Sequence, residues 1–65
     1  MTPTEFRTAR KRLGLTQAEL AAVMGYHAQP AISDIETGGT VPAQAARLIE
    51  AYAHGWRPEN WPEND

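Results

Sequence analysis

Two Thr-x-x-Glu boxes, Thr2-Pro3-Thr4-Glu5 and Thr16-Gln17-Ala18-Glu19, open two stretches of this chain, with Gly14 between them. In such a box the Thr hydroxyl accepts from the backbone N–H of the third helical residue, while the Glu carboxylate accepts from the N–H of the Thr. Orphan donors at a helix start are thereby satisfied without tertiary help. Pro3 stands at the first helical position, where its missing N–H is no loss. Leu15, just before the second cap, is placed to staple onto Leu20. Gly14, Gly25, Gly38-Gly39 and Gly55 follow at intervals, each supplying backbone freedom where a helix must stop. The chain is therefore expected to be a series of short helices, and 65 residues leave room for one small domain.

Apolar spacing assigns four helices. Phe6, Ala9, Arg10 and Leu13 recur at i, i+3, i+4 and i+7, giving one inward stripe on the first, while Arg7, Lys11 and Arg12 lie elsewhere on its surface. Leu20, Val23 and Met24 make the stripe of the second, which Gly25 stops. The third lacks a polar cap in Tyr26-His27-Ala28-Gln29-Pro30, but Pro30 suits a first turn. Ile32, Ile35 and Glu36 then face inward, and Pro30, Ser33, Asp34 and Thr37 face outward. A fourth runs from near Pro42 to His54, with Ala45, Leu48, Ile49 and Tyr52 on one face. The expected fold is all-α, a four-helix domain over residues 1–55. Residues 56–65 form a short Trp- and Pro-rich tail, wrapped at first and frayed at its acidic end.

A chain this short buries a modest share of its surface and needs a staple. No Cys is present, so disulfides and thiolate metal sites are excluded and a reducing, cytoplasmic setting is expected. No stretch is apolar enough to span a bilayer or to serve as a signal peptide. Six basic against eight acidic residues give a net charge of −2. That total argues against a partner held by bulk positive charge, yet the charge is uneven: residues 1–27 carry a net +2 and residues 28–65 a net −4.

The stretch Leu13 to Ala21, then Gly25, then Ile32-Ser33-Asp34-Ile35-Glu36-Thr37-Gly38, resembles the Cro and lambda-repressor type of helix-turn-helix, the XRE family, over about residues 4–54. Ala21 is small where two helices would cross, Gly25 turns the chain, and Ile32 and Ile35 pin the second helix of the motif on the first. The resemblance implies that this second helix lies in the DNA major groove. One departure stands out: seven residue steps separate Gly25 from Ile32 where the family has six. An extra residue among Tyr26, His27 and Ala28 is expected to bulge the turn.

The resemblance also implies roles for particular side chains. Gln17 contacts a backbone phosphate, and Gln29 bonds an adenine edge and braces Gln17. A carboxamide offers the donor and acceptor that adenine N7 and N6 require. Arg10 and Glu36 match a buried ion pair joining the first and third helices. Thr16, Pro30, Ser33, Asp34 and Thr37 complete the DNA-facing set, although Ser33 can equally be a small exposed residue. Asp34 repels phosphate and can accept from cytosine N4, or lie at the rim of the groove. Arg7, Lys11 and Arg12, the first two sharing a face, and Thr40 before the fourth helix are candidate phosphate contacts, against plain solvation or capping. His27 and His54 are too few for a metal site and read as surface residues. No cofactor and no small-molecule ligand is expected.

Catalysis has no support: Ser33 has no His placed as its base, and neither a Gly-rich elbow nor a phosphate-binding loop occurs. Either the tail folds back so that Trp56 and Trp61 cover the fourth helix, or Tyr52, Trp56 and Trp61 form a two-fold dimer interface, and the two can coexist. The reading that follows is a small DNA-binding regulator, a repressor or autorepressor acting as a homodimer on an inverted repeat. A module or antitoxin that uses the same fold to hold a protein partner is the alternative.

Overall fold

The computed structural model describes residues 1–62; the frayed acidic end expected from sequence lies largely outside them. Four helices follow in order: α1 (Pro3–Arg12), α2 (Gln17–Met24), α3 (Gln29–Thr37) and α4 (Ala43–Ala53). Both capping boxes are formed. Thr2 Oγ1 accepts from the Glu5 N–H at 3.1 Å and Thr16 Oγ1 from the Glu19 N–H at 3.1 Å, and each Glu carboxylate returns a bond to its cap. The expected ends are met within a residue, Leu13 and His54 serving as caps rather than as helix.

α2 and α3 pack on each other, and α1 touches both α3 and α4. Phe6, Leu20, Ile32, Ile49 and Tyr52 are fully buried, so every helix contributes to one core. Leu15, between α1 and α2, and Ala21, at the crossing of α2 and α3, are also buried. Met24, placed in the apolar stripe of α2 by its spacing, is only half-buried, because the helix ends there and the side chain lies at the margin of the core.

The turn after α2 takes up the extra residue. Gly25 adopts a left-handed backbone (φ 85°), and Ala28 is extended at the uncapped start of α3. Gln29 and Pro30 therefore open α3 as its first two residues, and the Ile32 and Ile35 anchors stay buried.

Residues 56–62 fold back as a non-helical strap. Arg57 Nη1 donates to the Tyr52 carbonyl at 2.6 Å and to the Trp56 carbonyl at 3.0 Å, closing the end of α4. Asn60 Nδ2 donates to the carbonyls of Ala22 and Val23 at 3.0 and 3.3 Å, closing the end of α2. Trp61 meets the Tyr52 ring edge-on at a centroid separation of 5.2 Å and lies under the Arg57 guanidinium. Trp56 stacks on Tyr52 at 5.6 Å yet remains 52% exposed. The two tryptophans thus differ: Trp61 is packed within the chain, whereas Trp56 offers a face outward.

Local capping and core packing should separate in denaturation. Thr16→Ala removes one cap and is expected to cost about 1 kcal/mol, whereas Ile49→Ala empties a fully buried site and should cost about 2–5 kcal/mol. Urea titrations of the two variants check this; equal losses would show that core packing does not outweigh capping in holding the fold.

Candidate nucleic-acid interface

Arg10 projects from the inward stripe of α1 and is only 8% exposed, so its charge needs a partner. Its Nε donates to Glu36 Oε2 at 2.7 Å, its Nη2 to Glu36 Oε1 at 3.2 Å, and its Nη1 to the Leu15 carbonyl at 2.9 Å. One guanidinium therefore joins α1, the α1–α2 loop and α3. The side chain of Glu36 is itself only 4% exposed. Burial alone would raise its carboxyl pKa. Hydrogen bonds from Arg10 and Gln17, with the charges of Arg10 and Arg7, outweigh that effect and hold it below the ordinary carboxylate value.

The chain of bonds continues outward. Gln17, the first residue of α2, donates from Nε2 to Glu36 Oε1 at 3.0 Å, and its Oε1 accepts from Gln29 Nε2 at 2.5 Å. Gln29 is exposed at the first position of α3. A single polar relay thus runs from a buried guanidinium to a surface carboxamide. No buried side-chain polar atom among the described residues lacks a partner.

The other residues singled out from sequence are distributed as follows. Pro30, Asp34 and Thr37 are exposed on α3, and Ser33 is half-buried. The Thr37 hydroxyl donates to the Ser33 carbonyl at 2.9 Å, which leaves it a methyl group and an acceptor to present outward. Thr16 spends its oxygen on the Glu19 N–H and keeps its own hydroxyl hydrogen free. Arg7, Lys11 and Thr40 are exposed, and the charge of Arg7 reaches Glu36, which sets it on the α3 side of α1. Arg12 instead lines a groove of about 580 Å³ between α1 and the end of α4, with Ala9, Leu13, Ala53 and Arg57, and no residue of α2 or α3 borders it. Arg12 therefore does not extend the surface around Gln29.

Sequence reasoning missed three contacts. The Gln17–Glu36 bond and the Asn60 cap join residues 19 and 38 positions apart, and the Arg57 cap, though only five residues from Tyr52, needs the chain to fold back after α4, so only packing reveals them. His27 and His54 are exposed, and no group of metal-ligating side chains occurs among the described residues. No described helix is long and apolar enough to cross a membrane.

The acid response of the ion pair has a definite sign. A carboxylate with a lowered folded pKa stabilises the fold fully above its ordinary value of 4.5, and that contribution is lost as pH falls through the folded value. Thermal midpoints measured from pH 7 to pH 3 are expected to fall more steeply in the native chain than in an Arg10→Met/Glu36→Gln double variant. The decline left in the double variant reports in part Glu5, whose carboxyl is also held low by hydrogen bonds from Thr2. Parallel curves would refute the role of the pair.

A helix-turn-helix family model matches residues 6–52, the span from Phe6 in α1 to Tyr52 at the end of α4. No curated protein and no solved structure gives a significant match. With the α2-turn-α3 unit, its buried isoleucine anchors and the matched span in place, the chain belongs to the helix-turn-helix family, as a regulator of the DNA-binding XRE type.

Proposed function

We propose that this chain is a sequence-specific transcriptional regulator, a small repressor or autorepressor acting in the cytoplasm, whose residues 1–55 bind DNA and whose tail completes the domain. The observation that carries this reading is the relay ending at Gln29. A carboxamide braced from behind at the exposed start of α3 is suited to bidentate contact with an adenine edge in the major groove. Gln17 and Thr16 at the start of α2 have free N–H and O–H groups for phosphate, and Arg7, Lys11 and Thr40 add to that contact. Pro30, Ser33, Asp34 and Thr37 share the outward face of α3 with Gln29.

Few basic residues and a net charge of −2 make a lone copy a weak binder. Two copies on an inverted repeat double the phosphate contacts and raise effective concentration. Trp56, stacked on Tyr52 but half exposed, favours a two-fold contact at the end of α4. Trp61 supports it from within each copy.

Gel shifts on the DNA upstream of the protein's own reading frame test the reading, against random DNA at two salt concentrations. Gln29→Ala should cost about 1–3 kcal/mol at one base position, whereas Lys11→Ala should weaken every sequence alike and lower the salt slope by about 1. Binding no tighter to the upstream region than to random DNA would reject sequence-specific regulation. In sedimentation with operator-length DNA, Trp56→Glu is expected to leave a folded monomer that no longer pairs; unchanged pairing would clear Trp56 of the interface.

A further inference from the structure

The direction of the polar relay is not a free choice. Glu36 is held ionised against Arg10, and an ionised carboxylate accepts hydrogen bonds and donates none. Gln17 must therefore turn its Nε2 toward Glu36, since the flipped amide would set two acceptor oxygens 3.0 Å apart. With its Nε2 toward Glu36, Gln17 faces Gln29 with its Oε1, an acceptor, so Gln29 in turn must donate from Nε2. What Gln29 keeps for the outside is its Oε1 and its second N–H, in one fixed spatial order. We propose that Glu36 is a positioning residue for base recognition: its carboxylate, acting through Gln17, decides which way round Gln29 presents its donor and acceptor.

This rests on the reading of α3 as the DNA-contacting helix, and it deepens it. An exposed carboxamide with no such bias rotates between two arrangements of opposite donor-acceptor order. Only one of the two matches the N7 acceptor and N6 donor of an adenine held in a given register. A buried charge pair thereby acts on sequence preference at a surface it does not touch. Arg10 and Arg7 are the charged groups of α1 acting on Glu36, and α2 faces it with the neutral amide of Gln17.

Two measurements on the full chain test this. In the first, without DNA, the 15N-labelled side-chain amides of Gln17 and Gln29 are followed as pH falls through the Glu36 titration, and both are expected to shift with the Glu36 midpoint. A Gln29 signal that stays still while Glu36 and Gln17 titrate overturns the relay. In the second, operators are selected from random DNA by the native chain and by Gln29→Ala, Glu36→Gln and Gln17→Met. Gln29→Ala identifies the position it reads. At that position a preference of about tenfold or more should fall to about threefold or less in the other two variants, with the remaining positions unchanged. Gln17→Met leaves the buried ion pair intact, so it serves even if Glu36→Gln fails to fold. A folded variant that loses affinity uniformly but keeps the preference overturns the proposal and leaves Gln17 a phosphate contact. Absence of any preference in the native chain rejects DNA reading itself, and the amide titration then decides the relay alone.

Discussion

The contact between Arg10 and Glu36 ties together more of this molecule than any other polar interaction. It joins α1 to α3 across the core, and its third arm fixes the carbonyl of Leu15 just ahead of α2. Desolvating two charges is expensive, and a well-packed apolar pair of similar volume could match it in stability. Its value lies in register. A guanidinium presents a rigid fork, so α1, the loop and α3 are held at one mutual setting where apolar packing alone would tolerate several. Glu36 Oε1, which already accepts from Arg10 Nη2, also accepts from Gln17, and the order imposed inside is passed to the surface.

The small size of the chain explains the rest of the architecture. Ten apolar residues form the buried core among the described residues, and no disulfide supplements it. The strap over residues 56–62 is the compensation. Arg57 adds a second donor to the Tyr52 carbonyl at the end of α4, beside the Gly55 N–H, and Asn60 reaches the Ala22 and Val23 carbonyls at the end of α2, while Trp61 covers Tyr52. Because Asn60 grips the end of α2 next to the Gly25 turn, the strap also steadies the approach to α3. Trp56 escapes this packing, which is why it can face outward while its neighbour cannot.

Net charge proved a poor guide until it was resolved along the chain. Basic residues cluster on α1, whereas α4 and the strap each balance one acidic residue with one basic residue, and the net −4 of residues 28–65 comes from Asp34 and Glu36 of α3 and from Glu63 and Asp65. Tertiary structure divides even the basic cluster. Arg10 is consumed in the core, Arg7 lies toward α3, and Arg12 faces the groove beside α4. Three arginines on one helix thus meet three environments.

Sequence alone determined the helices, because their causes are local. Capping boxes, the Leu15–Leu20 staple, glycine stops and apolar spacing act within a few residues of chain and need no partner. Ile32 and Ile35 could likewise be placed in the core from spacing, and the extra residue before them could be counted. Tertiary structure alone decided how that residue is absorbed, since a turn takes whatever conformation keeps its flanking anchors buried. It alone decided the fate of the two tryptophans, which are alike in composition and differ in what the fold sets beside them. The Gln17–Glu36 bond belongs to the same class: its partners lie 19 residues apart on different helices, and their meeting depends on the crossing of α2 and α3 rather than on any spacing in the chain.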